Sequence, residues 1–598
     1  MDRNVVTATV LIAVIMFVWL WWIAPSPDQL SNTEPPITDT AAVAGQLPDE
    51  VPDEQRATRA VPVDSAFAAA QQGEEQFVTV ETGLYTARFS TKGGTPVSFQ
   101  LKEYKKFDQE TPVELVAGDE AGALGLVFTT PSNHVVDTRS FFFDSPAAGQ
   151  TVVVADEPVS IVFEAQLGGG SIRQTYTFTP DEYDVALHVE QQNASTFATE
   201  EGYEIVWNGG IPLTEGNPET EAQASGAFAR SGGETESVEL NSDAYEEKRL
   251  SGTVAWAAVK SKYFTSVIIP SGQTRGAELI GERMGETDSP TLWEDYSISV
   301  LMPPAAPEGD AFNLYIGPME FYRISDYGIG LYDMVDYGWD AMEWMTRPLA
   351  KFVFIPTFTF LSQFIANWGL VIIVFACLIK IVLYPLTKSS YKSMARMREL
   401  QPKMEAIKEK YGDNPQKQQE AMMKMYRETG INPLGGCLPM LLQYPILIAL
   451  WMFLPSAIEI RQQGFLWAND LSAPDAILNL PFTIPLYGNF VAGFTLLMGL
   501  SMIVQMKIQM TPSSSNAQAK VLTYVMPLML FVFFNRLASG LSLYYLVYNI
   551  VTAIQQKYIN SHIEKLKDEP GTNGQGGRKA AAASKRRDKK PSGKRIKS

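Results

Sequence analysis

Cysteine and histidine are nearly missing from this chain: two and three residues, respectively, among 598. Cys377 and Cys437 lie in or beside apolar runs, so they read as small buried hydrophobes and provide no disulfide framework. His134, His188 and His562 are far apart, and no Cys/His spacing resembles a zinc site or a Cys/His nucleophile pair. No metal or cofactor is expected. Charge of one sign is scarce in each half. Residues 25–340 hold 51 acidic against 17 basic side chains, and residues 344–598 hold 30 basic against 13 acidic, so the net charge of −18 describes neither half. The long apolar runs of the second half contain no acidic residue at all.

Those runs dominate what is present. Residues 1–24 form an apolar stretch ending in Trp19, Trp21 and Trp22; it reads as a retained membrane anchor with an interfacial Trp belt, a cleaved signal being the alternative. Residues 25–75, rich in Pro, Ala, Asp and Glu, read as a disordered linker. Over 76–327, short alternating runs such as FVTVETGLYTARFS and TVAWAAVKSKYFTSVIIP imply an antiparallel β-sandwich. Its scattered carboxylates read as a solvated acidic face, because a glycosidase pair needs a separation that sequence does not supply. Residues 328–353 carry Leu331, Met334, Val335, Trp339 and Met342 at helical spacing and imply a helix in the membrane surface, or one capping the sandwich.

Membrane-spanning helices are expected at 358–386, 438–458, 482–506, 521–535 and 541–559, a second span within 354–387 and four more within 431–560. With the anchor they make about six, which puts both termini on one side. Residues 388–427 carry ten basic residues and the tail from Lys565 carries twelve, so the positive-inside rule makes that side cytoplasmic. Arg536, in an outer turn, is the exception.

Residues 388–430 read as a cytoplasmic helical hairpin, broken at Gly412 and restarted at Asn414 and Pro415. Met394, Met397, Met404, Met422, Met423 and Met425 crowd it, and Met498, Met502, Met506 and Met510 form a stripe one helical turn apart. Methionine suits an adaptable contact for varied apolar sequences; helix-to-helix packing is the plainer reading. Residues 561–598 form a basic tail that includes Lys585, Arg586, Arg587, Lys589 and Lys590.

Lys380 stands alone inside FACLIKIVLYPLTKSS. Eight residues before Lys388, it lies about 12 Å deeper along a helix. Snorkelling would return its ammonium towards the headgroups. A charge near mid-helix costs about 2.5–3.5 kcal/mol, however, and such residues usually face a wet cavity or a partner. Only neutral polar groups are available in the spans, among them Gln443, Gln505, Tyr544 and Tyr545, so water is expected to keep the lysine charged. That arrangement is a hydrated pocket, open to cytoplasm and lipid, that draws in acidic residues of a passing segment.

VDYGW, NWGLVII, YPLTKSSYKSMARMRELQPK, NPLGGCLPMLLQYPI and SGLSLYYLVYNIVTAIQQ, with YFTSVIIP and YIGPMEFY in the sandwich, occur in an order and spacing that resembles the YidC family of membrane protein insertases, in the form with a large periplasmic domain. The resemblance implies a five-span helical core around a hydrophilic groove, an extra N-terminal anchor helix, a periplasmic all-β supersandwich and an inner-membrane location. It further implies a non-enzymatic insertase and chaperone that releases clients laterally into the phospholipid bilayer, with nascent membrane proteins, the ribosome and the Sec translocon as partners. Gln443 and Tyr545 match groove positions, and Lys380 stands where the family more often has arginine. The basic tail resembles ribosome-contacting extensions; attraction to anionic lipid is its alternative. The rival classes are a membrane-embedded Ser/Lys peptidase, for which Ser389 and Lys392 form an S-x-x-K, and a solute transporter, which would be expected to show internal repeats.

Overall fold

The computed structural model describes residues 67–568, apart from 117–121, 241–243, 285–292, 336, 339, 413, 430–437, 486 and 510–524. The anchor, most of the linker and the basic tail with Lys585, Arg586, Arg587, Lys589 and Lys590 lie outside the described residues. The chain divides into a β unit, ending at residue 336 and joined by Ser456–Glu459, and a helical unit from Tyr337 onwards.

Alternation along the strands builds the β unit: Val185, Leu187 and Val189 are buried while Ala186 and His188 between them are not, which is how a pleated strand buries one face. An eight-stranded antiparallel sheet runs in the order Glu234–Val238, Gly226–Ser231, Val254–Lys260, Phe264–Pro270, Asp310–Pro318, Asp184–Gln192, Gly170–Phe178, Val159–Leu167. A six-stranded sheet packs over its first half, with Gly276–Met284 and Trp293–Met302 against Gly226–Ser231 and Val254–Lys260. A five-stranded sheet covers the other half, where Phe89 meets Phe163, Tyr176 and Phe178. One pair breaks the expected antiparallel pattern, because Phe77–Glu81 runs parallel to Thr151–Val153. The expected linker also ends too late: Phe67 and Ala70 are buried, and Phe67 stacks on Phe141, so the unit begins by residue 67.

In the helical unit, helix α1 (Asp340–Leu349) passes through one π-helical turn, Ala350–Phe354, into α2 (Ile355–Ser362). Pro348 and Pro356 lack the amide hydrogens an unbroken α-ladder would use there, and a wider turn accommodates them. The surface-helix expectation is therefore corrected at its start: Leu331–Met334 form only a 3-10 turn, within the β unit. Helix α3 (Trp368–Glu399) follows, then α4 (Gln401–Tyr411), α5 (Pro415–Thr429), α6 (Leu438–Ser456), α7 (Gly493–Gln509), α8 (Met526–Phe534) and α9 (Ser539–Asp568). Among the described residues, the stretch Trp368–Lys388 is long and apolar enough to cross a bilayer, and Leu442–Ser456 and Gly493–Ile508 are shorter apolar helices.

Three span boundaries differ from the sequence reading. The expected span 358–386 is broken between Ser362 and Trp368. The span expected to end at 387 continues unbroken into the region assigned to the hairpin. The span expected at 482–506 begins as a β-hairpin, Ala476–Ile484 paired with Gly488–Ala492, and becomes helical only at Gly493. Leu478, Phe482 and Val491 satisfy a hydropathy window equally well in a strand, so periodicity and not apolarity separates the two.

A buried carboxylate offers a test of the β unit. Glu221 accepts from the Thr214 amide to both oxygens (3.0 Å), the Thr214 hydroxyl (2.8 Å) and the Glu215 amide (2.9 Å). Burial nevertheless pushes its carboxyl above the usual range. Glu221→Ala leaves these donors unpaired and is expected to cost about 3 kcal/mol, read as a lower melting temperature of the sheet signal in the full-length protein. A raised folded pKa means the folded state holds the proton more tightly. The Glu221 contribution to stability therefore falls as pH rises from about 4.3 through the raised value, and Glu221→Gln is expected to remove that slope.

Candidate functional site

Helices α3, α6, α7 and α9 bring the polar residues of the helical unit together, and side-chain contacts fix their register. Phe375 lies 6.1 Å from Tyr544 between ring centroids, and Lys380 Nζ lies 3.4 Å from the centroid of Tyr548; α3 and α9 therefore run parallel. Thr495 Oγ1 meets Ser542 Oγ at 2.8 Å and Asn549 Nδ2 donates to Ser501 Oγ at 3.0 Å, so α7 runs the same way. Phe354 and Phe358 pack on Phe375, and Phe453 packs on both of them, which walls the site on one side.

On α9 the stripe Ser542, Tyr545, Asn549, Thr552, Gln556 advances by alternate steps of three and four residues, which places it on one face. Ser542, Asn549, Thr552 and Gln556 are buried. From α6, Gln443 Nε2 donates to the Tyr544 hydroxyl at 3.0 Å, while Gln443 Oε1 is buried without a partner among the described residues. Further along the same axis, Ser390 Oγ and both amide termini of Gln556 are also buried and have no partner among the described residues. The register of α3 on α9 sets Thr387 and Ser390 at about the level of Gln556.

Lys380 itself is only 4% exposed, and no carboxylate pairs with it among the described residues. Its ammonium faces the Tyr548 ring, a neighbour the sequence reading did not name. An aromatic face carries negative potential and returns about 2 kcal/mol to a desolvated cation, a large part of the insertion cost of the charge.

Of the other expected groove residues, Tyr544 is fully buried, while Tyr545 and Gln505 are half-buried. Gln505 falls near the level of Thr552 by the α7 register. Tyr548 and Gln556 were missed by sequence reasoning; the three-and-four spacing on α9 was a signal for Gln556, whereas nothing in the spacing singled out Tyr548. Met498 is buried in the bundle, and Met502 and Met506 are half-buried. In the α4/α5 hairpin, Tyr426 donates to Met404 Sδ at 3.8 Å and Met425 is buried, so these two methionines serve packing. Met422 is half-buried and Met423 is 49% exposed. The side chains of Met394, Met397, Ser389 and Lys392 lie outside the described set. Two clefts of about 530 and 460 Å³ sit on the β unit. In the first, Arg173 holds Glu164 at 2.8 Å and Glu190 at 3.5 Å, so these carboxylates are ion-paired.

Tyr548→Phe keeps the aromatic face and Tyr548→Leu removes it. The leucine variant is expected to be about 1–2 kcal/mol less stable than the phenylalanine variant, measured by thermal unfolding of the helical unit in detergent micelles. Equal melting of the two would assign the ring a packing role only.

Comparison with known proteins places both units. The model of the 60Kd inner membrane protein family matches residues 360–567, and that of the YidC periplasmic domain matches residues 77–352. The membrane protein insertase YidC of Prosthecochloris aestuarii is 38% identical over 569 residues, covering 94% of this chain and 95% of that protein. Its counterpart from Chlorobium phaeovibrioides is 39% identical over 569 residues, with the same coverage. A solved structure, described as an active YidC insertase with its first transmembrane domain resolved, aligns with a TM-score of 0.33 at 20% identity, covering 81% of this chain and 93% of that one. With two family models in series and relatives aligned over nearly their whole length, the chain belongs to the YidC family of membrane protein insertases.

Proposed function

We propose that this chain inserts membrane proteins by receiving an apolar client segment beside α3, α7 and α9 and drawing the client's acidic flank to Lys380. The observation that carries the reading is a buried cation whose described neighbours are an aromatic face and neutral polar groups. The ring offsets most of the cost of the charge but does not neutralise it. An arriving carboxylate therefore competes with Tyr548 for the ammonium, since a charge-to-charge contact in low dielectric exceeds a charge-to-quadrupole one. The groups at Gln443, Ser390 and Gln556 that have no partner among the described residues give a polar client flank hydrogen-bonding partners on either side of the lysine. This shortens the fully apolar distance it must cross, and the apolar segment then leaves sideways into lipid. The process is non-enzymatic and consumes no cofactor.

In this reading the five-span core, the anchor helix and both termini take the orientation that the positive-inside rule implies, with the β unit in the periplasm. Nascent chains reach the groove from the ribosome or from the Sec translocon. The basic hairpin and the tail with Lys585, Arg586, Arg587, Lys589 and Lys590 meet ribosomal phosphate or anionic lipid. Met422, Met423, Met502 and Met506, with Met394 and Met397, supply contacts that adapt to different apolar clients.

The test is reconstitution of the chain alone in vesicles with a single-span client bearing a short acidic outer tail. Lys380→Arg is expected to stay within about threefold of the unaltered chain, and Lys380→Met to fall at least about tenfold, a loss of some 1.4 kcal/mol. Loss with arginine as complete as with methionine would fit a lysine that must shed its proton, as in a peptidase. Solute flux without insertion would fit a transporter.

A further inference from the structure

From Ala476 to Met506 the sequence carries no charged residue, and its first part is the hairpin described above. The inner strand, Gly488–Ala492, is fastened to the bundle. Asn535, fully buried, donates to the carbonyls of Tyr487 (3.1 Å) and Phe490 (2.8 Å) and accepts from the Ala492 amide (2.9 Å). Gly488 turns the chain with φ +105°, a value that disfavours side chains. The outer strand, Ala476–Ile484, is exposed at every position except the half-buried Leu480. Ile477, Leu478, Phe482 and Ile484 each expose between 38% and 60% of their surface.

In water, an exposed apolar edge strand invites aggregation, and a soluble protein blunts it with charge; this one has none. Two further features indicate what covers it. Helix α7 starts at Gly493, directly from the inner strand, and exposes Leu496, Leu497 and Leu500, so the hairpin continues the lipid-facing surface of an apolar helix. Trp467, partly exposed and donating to Asp475 at 2.8 Å, stands at its base, and the Arg536 guanidinium lies beside the turn at Gly488. Tryptophan and arginine are residues of the water–lipid boundary.

We propose that the Ala476–Ala492 hairpin lies in the headgroup and upper acyl region of the outer leaflet, its outer strand set against lipid, as a membrane-contact element separate from the spanning helices. Interfacial depth also suits the free backbone edge of the outer strand, which would be unsatisfied in the hydrocarbon centre but is hydrated among headgroups. Pro481 removes one donor from that edge. The inference rests on the orientation proposed above for the α6–α7 connection, but it does not depend on how clients are handled.

The experiment uses the full chain in phosphatidylethanolamine/phosphatidylglycerol vesicles, with Cys377→Ser and Cys437→Ser, and a nitroxide on Phe482→Cys. Leu478→Cys serves as a second position and Glu234→Cys, on the β unit, as an aqueous control. Oxygen collisions are expected to exceed those of a water-soluble nickel chelate at least about threefold at 482 and 478, with the order reversed at 234. Dominant nickel collisions at 482 and 478 would place the strand in water and overturn the inference, and low collisions with both agents would show it covered by protein and overturn it equally. The readout needs no insertion activity, so a failed insertase assay and a failed hairpin assignment remain distinguishable.

Discussion

A positive charge inside an apolar bundle must be offset by something, and here that constraint organises the helical unit. Lys380 meets the face of Tyr548, and the contact requires α3 and α9 to lie parallel in a fixed register. The Phe375–Tyr544 pair, about one turn nearer the start of α9, holds the same register. Gln443, Asn549 and Ser501 then fall at neighbouring levels through hydrogen bonds of their own. The balance is deliberately narrow in energetic terms: about 2 kcal/mol from the ring against about 2.5–3.5 kcal/mol for the charge. A site nearly but not fully compensated holds its cation in place and still gains from a carboxylate.

Much of this was legible in the sequence. Lys380 announced itself as a lone charge in hydrocarbon, and the carboxylate-free spans showed that its partner had to be neutral. The partner's identity was not legible, because a cation–aromatic contact depends on helix register, and register comes from packing between helices distant in sequence. Tyr548 is one of three tyrosines within five residues on α9, and only the structure separates the one beneath the ammonium from the one that meets Gln443. The stripe ending at Gln556 could have been found by counting threes and fours beyond the last residue considered.

The β unit was readable as sheets from period-two alternation, whereas the parallel pairing of Phe77–Glu81 with Thr151–Val153 was not, since pairing partners 72 residues apart leave no local trace. The hairpin at Ala476–Ala492 failed for a different reason. A window average treats Ile, Leu and Phe alike in a strand and in a helix, and the cues against a helix, Pro481, Pro485 and Gly488, are each tolerated in membrane helices. The methionines likewise divide only in three dimensions: Met498 and Met425 are buried, and Met423 is exposed.

The central claim is that acidic client residues displace Tyr548 from Lys380. It is tested most directly by placing a photo-crosslinking phenylalanine analogue at position 548 and irradiating the protein with ribosome-bound client chains. The account predicts adducts with an acidic-tailed client whose yield drops several-fold when the tail's carboxylates become amides. Adducts of equal yield for both tails, or none with either, would contradict it.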